Sequence, residues 1–317
     1  MAKKINVVCL GGGIGTANLI KGLKNYYKNI TVVVSMADSG GSAGRLRRLY
    51  KVHPVGDIVS CMAALSNNTV LSDLLSYRFP GERFSNRDSQ LSGHKLGNLL
   101  LVGAIKSSGN FKKAIRSIQH VFNINGTFLP ATKDKVTISA KTVEGKRIFG
   151  ETKITRGKYQ GKKVIDKIFL RPKNAKVSLE VIKNINDADV IVAGPGDLYT
   201  NLLPVLIVPG IGTAIDKSKA KKIYISNVAN KPFETKNYVI DDYVNSIIKH
   251  IGSFPFNIII ANKNLGIEIP KKYNYKLLTP KLKIYKEIKL VKADVVNKRF
   301  PLYHDSLKLA KAVTKSI

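Results

Sequence analysis

Residues 5–36 of the chain read INVVCLGGGIGTANLIKGLKNYYKNITVVVSM. Residues 5–10 form a compact apolar run, a glycine-rich stretch follows, and apolar side chains then recur at helical spacing over residues 19–23. A second run, residues 30–36, is rich in β-branched residues. The pattern predicts a strand, a glycine turn, a helix and a second strand, which is the βαβ unit of a parallel sheet.

The rest of the chain continues this α/β pattern with one interruption. Helical spacing predicts helices over residues 57–65, 70–77, 96–105, 112–121 and 307–313. Apolar runs predict strands over residues 189–193, 222–226 and 256–261. Residues 126–172 instead contain short alternating runs, 136–140 and 147–151, around a turn at Glu144-Gly145. We therefore predict a Rossmann-like parallel sheet flanked by helices, with a core of residues 1–125 and 173–317 and a small β-rich insertion of residues 126–172.

The composition is that of a globular protein with an unusual charge. Of the 317 residues, 44% are hydrophobic and 23% are charged, which excludes wholesale disorder. There are 53 Lys and Arg against 21 Asp and Glu, a formal net charge of +32. Only 11 of the 53 are Arg and the lysines are scattered, as expected from a genome rich in A and T. The charge favours loose contact with polyanions. Sequence-specific nucleic-acid binding is disfavoured, because no zinc finger, RNA-recognition signature or aromatic-basic repeat is present.

The sequence also predicts a cytoplasmic location without a membrane span. The longest apolar stretch, residues 202–215, is interrupted by proline and glycine, whereas a spanning helix needs about 18 uninterrupted apolar residues. The apolar run at the N-terminus ends in glycines instead of a cleavage site. Cys9 and Cys61 have no partners at metal-ligand spacing, so we expect reduced thiols.

The glycine turn at residues 11–15 allows a close approach of the backbone to an anion, beside the free N–H groups of a helix N-terminus. Thr16 stands where a Gly-x-Gly-x-x-Gly pattern needs its last glycine, and the Lys of a P-loop is missing. Taken alone, the turn is as compatible with a tight structural turn as with phosphate binding.

A second polar loop follows the second strand. Asp38 stands at the end of that strand, where a carboxylate accepts hydrogen bonds from a ribose or holds hydrated Mg²⁺. Ser39 and Ser42 add hydrogen-bond donors around two glycines. The alternative is that Ser42 caps a helix beginning at Ala43.

Arginines are concentrated directly after this loop. Six of the 11 fall between positions 45 and 87: Arg45, Arg47, Arg48, Arg78, Arg83 and Arg87. The planar guanidinium fork of Arg suits phosphate or carboxylate, although a surface ion pair is the alternative for each one.

Three further candidates stand at predicted element ends. Asp57 stands where a helix cap is expected. His94 opens another helix one turn before Asn98, and this position makes His94 the best acid/base candidate. A structural role for His94 agrees with the sequence equally well. Gly194-Pro195-Gly196-Asp197 repeats the strand, glycine and helix pattern in the other half of the chain and predicts the facing wall of a cleft. No Ser-His-Asp order or zinc spacing can be argued, which disfavours covalent hydrolysis.

These motifs belong to seven blocks that stand in order along the chain. The blocks are residues 11–15, 37–47, 54–58, 77–79, 93–101, 194–200 and 226–227. Together they resemble the gluconeogenesis-factor family, the YvcK-like proteins, in the superfamily that also holds 2-phospho-L-lactate transferase of the CofD type. Differences from the family pattern are Ile14 for Thr, Ser39 for a second Asp, Ala43 for Ser, Val59-Ser60 for Arg-Asn and Tyr303 for Arg. The missing second carboxylate at Ser39 weakens a metal site in particular.

The resemblance implies a cytoplasmic bacterial protein that binds a nucleotide sugar similar to UDP-N-acetylglucosamine and regulates carbon use, cell shape and envelope synthesis. In this interpretation the ligand contacts are Gly12, Gly13, Ile14, Asp38, Ser39, Ser42, Asn98, Gly194, Gly196 and Asn227. In the CofD-type alternative the protein is a transferase, Asp38 and Asp57 hold Mg²⁺, and His94 transfers a proton. A third class is a polyanion-binding scaffold that needs no pocket. A regulatory protein partner and a homo-oligomer stay open.

Overall fold

The structure is a computed structural model that describes residues 5–81, 91–157 and 165–317. Arg83 and Arg87 lie outside the described residues. The strands are β1 (Asn6–Gly11), β2 (Asn29–Val34), β3 (Thr127–Pro130), β4 (Thr137–Thr142), β5 (Arg147–Phe149), β6 (Ile165–Arg171), β7 (Val190–Ala193), β8 (Lys221–Ile225), β9 (Ala229–Asn230), β10 (Ile258–Asn262), β11 (Lys276–Leu277) and β12 (Lys289–Ala293).

The helices flank the strands. They are α1 (Gly13–Leu23), α2 (Gly41–Tyr50), α3 (Gly56–Leu65), α4 (Thr69–Ser76), α5 (Leu96–Ser108), α6 (Phe111–Val121), α7 (Glu151–Thr155), α8 (Leu179–Asn186), α9 (Leu203–Leu206), α10 (Ile211–Lys217), α11 (Ile240–Ile251) and α12 (Ser306–Thr314). A π-helical turn, Leu198–Leu202, precedes α9, and a 3₁₀ turn occupies Lys271–Tyr273.

One large sheet organises the fold. Its seven strands run in the order β12-β10-β8-β7-β1-β2-β3, and every neighbouring pair is parallel. The predicted Rossmann-like α/β fold is confirmed. The strand β1 lies between β2 and β7, with Gly11 opposite Val34 and Leu10 opposite Ala193. The chain order reverses at β1, so the loops after β1 and β7 meet at a switch point, where open α/β sheets bind their ligands.

The central strands are buried on both faces, as parallel strands covered by helices are. All four residues of β7 have 0% exposure, and Cys9 in β1 also has 0%. Cys9 and Cys61 are free thiols. Burial raises the pKa of the Cys9 thiol to about 12, which makes it unreactive near neutral pH.

The predicted insertion contains a small antiparallel sheet, in the order β5-β4-β6. The strand β3, which precedes this small sheet in the chain, belongs to the large sheet instead. It is the edge strand there and pairs with β2. Phe128 and Leu129 of β3 are buried, and this burial accounts for a strand that the alternating pattern of the insertion did not predict. The division into a core of residues 1–125 and 173–317 and an insertion of residues 126–172 stays a prediction.

Two predicted helix caps are wrong. The N-cap of α2 is Gly40, so Ser42 lies in the first turn of a helix that begins two residues earlier than expected and does not cap it. The N-cap of α3 is Val55, so Asp57 also lies within a first turn. At that position a carboxylate interacts favourably with the positive end of the helix dipole.

No single helix of the described residues has both the length and the apolar composition required to cross a membrane. One broken pair, Leu198–Leu206 and Ile211–Lys217, meets these two criteria when its parts are taken together, but it is bent by 73°.

Candidate functional site

A cavity of about 280 Å³ opens at the switch point of the sheet. Its walls come from the β1–α1 loop, the β7 loop and segments that follow β2 and β8. Six of the predicted site residues line it: Gly13, Ile14, Asp38, Asp57, Gly196 and Asn227. Gly12 does not line it but is the N-cap of α1, and no side chain caps that helix. The structure therefore brings the two predicted glycine-rich halves together around one space.

Glycines are required where the two loops touch. A Cβ on Gly15 would lie 2.4 Å from the carbonyl oxygen of Pro195, and one on Gly13 would lie 3.1 Å from Nδ2 of Asn201. Gly13 has a φ of +66°, in the left-handed region that favours glycine. At this close contact the two loops present main-chain groups to the cavity.

Asn227 closes one corner of the cavity. Its Oδ1 accepts a hydrogen bond from the N–H of Gly196 at 3.4 Å, which ties the loop after β8 to the loop after β7. Gly194 precedes this point with a φ of +78°, and a Cβ there would lie 2.8 Å from the carbonyl oxygen of Ile225. Gly194 thus holds the backbone close to β8 and does not itself line the cavity.

The two predicted metal-binding carboxylates face the same cavity. Asp57 lies against the glycine turn, since a Cβ on Gly12 would be 2.2 Å from Asp57 Oδ2. Asp38 Oδ1 accepts a hydrogen bond from the N–H of Gly40 at 2.8 Å, and its Oδ2 lies 3.4 Å from the Cβ position of Gly56. Both acids thus lie beside the starts of α1, α2 and α3.

A third carboxylate reaches the cavity from the β-rich segment. Glu151, at the start of α7, accepts a hydrogen bond from Thr155 Oγ1 on its Oε1 at 2.6 Å. Its Oε2 is buried and has no hydrogen-bond partner among the described residues. A Cβ on Gly40 would lie 2.8 Å from that oxygen, which places Glu151 next to Asp38. Burial, and then the negative charge of Asp38, raise the pKa of Glu151 to about 7.

A buried ion-pair network supports the opposite wall. Asp197 lines the cavity, and its Oδ2 lies 2.5 Å from Lys231 Nζ, which is also 2.6 Å from Glu234 Oε1. Lys231 is 8% exposed and Glu234 is 0% exposed. Burial raises the pKa of Glu234 to about 7 although Lys231 opposes the shift. Burial lowers the pKa of Lys231, but the adjacent carboxylates Glu234 and Asp197 outweigh it and raise that pKa overall, so the lysine stays charged.

Sequence analysis did not single out Glu151, Lys231 or Glu234 as site residues. In the sequence Glu151 is distinguished only by its position directly after Gly150, within the segment for which a β-rich structure is predicted. Strongly shifted pKa values of acids in a cleft are a mark of functional sites.

His304, from the segment before α12, also lines the cavity. Its Nε2 lies 3.1 Å from the carbonyl oxygen of Ser226, and burial lowers the pKa of its ring to about 4. The imidazole is therefore neutral at pH 7. In that form Nε2–H donates to the Ser226 carbonyl.

Besides Gly12 and Gly194, four predicted site residues do not line the cavity. His94 and Asn98 are buried, at 3% and 2% exposure, but neither lines it. Ser42 Oγ accepts a hydrogen bond from Arg78 Nη1 at 3.3 Å, and Ser39 packs its carbonyl against Gly44. His94 thus does not face the cavity that Asp38 and Asp57 line.

Three of the four described arginines of the 45–87 cluster bond to backbone carbonyls, and none of the four lines the cavity. Arg47 donates to the carbonyl oxygens of Asp38, at 2.8 Å, and Val136, at 2.7 Å. Arg78 donates to the carbonyl of Gly93 at 2.6 Å, and buried Arg45 donates to the carbonyl of Ser92. Within the described ranges no Lys or Arg side chain lines the cavity.

The cavity therefore combines main-chain groups with the carboxylates of Asp38, Asp57, Glu151 and Asp197, in a chain whose net charge is +32. Among the described residues there is no group of three or more His, Cys, Asp or Glu arranged to hold a metal ion by itself. Mg²⁺ commonly uses one or two carboxylates and completes its shell with water and substrate phosphates. Asp38 and Asp57, with the unpartnered Oε2 of Glu151 nearby, fit that mode.

Comparisons with known proteins agree with this architecture. Residues 7–300 match the family described as 2-phospho-L-lactate transferase CofD. The chain is 36% identical over 318 residues to the gluconeogenesis factor of Bacillus subtilis, covering 98% of this chain and 97% of that protein. It is also 36% identical over 307 residues to the gluconeogenesis factor of Halalkalibacterium halodurans, covering 96% and 92% of the two chains.

A solved structure has the same fold. It is the crystal structure of a member of the UPF0052 family from Bacillus halodurans, with a TM-score of 0.88 and 34% identity. The match covers 99% of this chain and 100% of that one. The chain therefore belongs to the gluconeogenesis-factor (YvcK-like) family, within the CofD-like superfamily.

Proposed function

We propose that the cavity binds a nucleotide sugar similar to UDP-N-acetylglucosamine together with Mg²⁺, and that the protein acts in the cytoplasm as a regulator of carbon metabolism, cell shape and envelope synthesis. The observation that carries the proposal is the meeting of two glycine-rich loops at the switch point of a parallel sheet. Membership of the gluconeogenesis-factor family supports the regulatory role.

The diphosphate of such a ligand fits the main-chain side of the cavity. The N–H groups at the start of α1 have no side-chain cap, and a helix N-terminus attracts phosphate. The four carboxylates would repel a diphosphate, and no Lys or Arg of the described residues lines the cavity to offset them. A divalent cation bound to Asp38 and Asp57 supplies the missing positive charge, so we expect nucleotide binding to depend on Mg²⁺.

Isothermal titration calorimetry of the full chain with UDP-N-acetylglucosamine tests the proposal. We expect binding in the presence of Mg²⁺ and its loss in EDTA. Asp38→Ala should weaken binding by about one to two orders of magnitude, because a hydrogen bond to a charged group is worth roughly 1.5–3 kcal/mol. The control is Asp73→Ala, since Asp73 is exposed on α4 and does not line the cavity. Equal binding by wild type and Asp38→Ala would exclude Asp38, and no binding of any nucleotide sugar would contradict the proposal.

The CofD match favours one alternative, a Mg²⁺-dependent transferase that moves a phospholactyl group from a nucleotide-linked donor to a deazaflavin. Asp38 and Asp57 would hold the metal, but His94 does not line the cavity with them. Incubation with a nucleotide-linked phospholactate, a deazaflavin acceptor and Mg²⁺ should give no product, and detectable turnover would reverse the ranking.

A further inference from the structure

A second cavity lies beside the edge strand β3 of the large sheet and shares no lining residue with the first. It has a volume of about 320 Å³ and opens beside the edge strand β3, between the starts of α6 and α8. This volume is within the range of small-molecule pockets.

The floor of the second cavity is apolar and includes aromatic rings. Phe128 and Leu129 of β3 and Ile115 of α6 line it and are buried. The rings of Phe111 and His53 also line it, with centroids 5.1 Å apart. Burial, and then the positive charges of Arg47 and Lys135, lower the pKa of His53, so at pH 7 it presents a neutral ring. Such a floor favours a planar apolar group.

The rim of the second cavity carries positive charge. Lys133 lines it, is exposed, and has no acidic partner among the described residues. The carboxylate of Glu180, also in the lining, is 2.6 Å from Lys112 Nζ, which neutralises it. Ser178, the N-cap of α8, lines the cavity too, and no side chain caps that helix. Lys133, beside N–H groups that no side chain caps, favours a ligand with a single negative charge.

We propose that the second cavity is a binding site for a small aromatic carboxylic acid, whose ring packs on Phe111 and Phe128 and whose carboxylate pairs with Lys133. A diphosphate would lack both the cations and the polar surface it needs there. The site stands independently of the nucleotide-binding proposal, because it shares no lining residue with the first cavity.

Phenylacetate and its uncharged isostere phenylacetamide are the probes, measured by ligand-observed NMR and calorimetry on the full chain. We expect saturable binding of phenylacetate, with phenylacetamide at least about tenfold weaker, because the amide has no charge to pair with Lys133. Acetate, which keeps the charge without the ring, should also be at least about tenfold weaker.

Lys133→Met removes the charge and keeps most of the apolar stem, and it should weaken phenylacetate binding by about tenfold. Lys113→Met is the matched control, since Lys113 is exposed on α6 and does not line the cavity. An equal effect of the two variants would show general attraction to a basic surface and overturn the proposal. Equal binding of phenylacetate and phenylacetamide, or no saturable binding of phenylacetate, would also overturn it.

Discussion

The cavity at the switch point and the cavity beside β3 have opposite characters. The first, between the central strands β1 and β7, is lined by main-chain groups and four carboxylates, while the second, beside the edge strand β3, has an apolar floor and a lysine rim. The formal charge of +32 does not predict the character of either cavity. The described cationic side chains do not line the first cavity, and Arg47 and Arg78 donate hydrogen bonds to backbone carbonyls. The placement of charge, not its sum, decides which ligand each cavity accepts.

Lys231→Met is expected to have the largest effect, because the first cavity depends on a buried charge network. Removing Lys231 leaves Glu234, which is 0% exposed, without its counter-ion, and breaking such a buried pair costs roughly 3–5 kcal/mol. The free energy of unfolding from urea denaturation is the measurement. Lys249→Met is the control, because the pair of Lys249 with Asp166 lies at the surface, where a pair is worth about 0–1 kcal/mol. Similar losses in the two variants would mean that the network around Asp197 is no more important than a surface pair.

Gly15→Ala tests the contact between the two glycine-rich loops. The new Cβ would lie 2.4 Å from the carbonyl oxygen of Pro195, and backbone on both sides has to move. We expect a loss of about 1–3 kcal/mol in stability and weaker nucleotide binding, because overpacking distorts both walls of the cavity. Gly103→Ala in α5 is the control: nothing lies within 4 Å of its added Cβ, so it should stabilise the helix by about 0.5–1 kcal/mol. Unchanged binding by Gly15→Ala would show that the loops do not form the ligand site together.

Glu151→Gln tests the pH dependence that the acidic cavity imposes. The pKa of Glu151 is raised to about 7 from an ordinary value of 4.5, so between these values the folded protein binds more protons than the unfolded chain. The free energy of unfolding contributed by this group is therefore fully present below about pH 4.5 and is lost as the pH rises through 7. Over this pH range the variant should lose roughly 1–2 kcal/mol less stability than the wild type. This figure is lower than the direct conversion of the pKa shift at about 1.36 kcal/mol per pKa unit.

Urea denaturation of Glu151→Gln at pH 5 and pH 8 measures this difference. Part of the pH dependence should remain, because the pKa of Glu234 is raised in the same direction. Glu268→Gln, at an exposed position, should leave the wild-type pH dependence intact. A pH dependence that is unchanged in Glu151→Gln would show that Glu151 ionises normally and is not confined beside Asp38.

The sequence analysis predicts the parts of the fold and the site that local pattern specifies. The β1–α1–β2 unit and both glycine-rich loops follow from short-range apolar spacing and from glycines, and the structure places them as expected. The pairing of β3 with β2 brings together segments that are far apart in sequence, and no short-range pattern records it. Glu151 and the Lys231–Glu234 pair become part of the site only through tertiary packing. His94 has the local context of a site residue, but it is buried in the segment before α5 and does not line the cavity.

A crystal structure of the full chain with UDP-N-acetylglucosamine and Mn²⁺ in place of Mg²⁺ tests the central claim most directly. The account predicts diphosphate density between the N-terminus of α1 and the loop at Gly196, with an anomalous Mn²⁺ signal at Asp38 and Asp57. Ligand density outside the first cavity, or a diphosphate bound there without any metal signal, would contradict it.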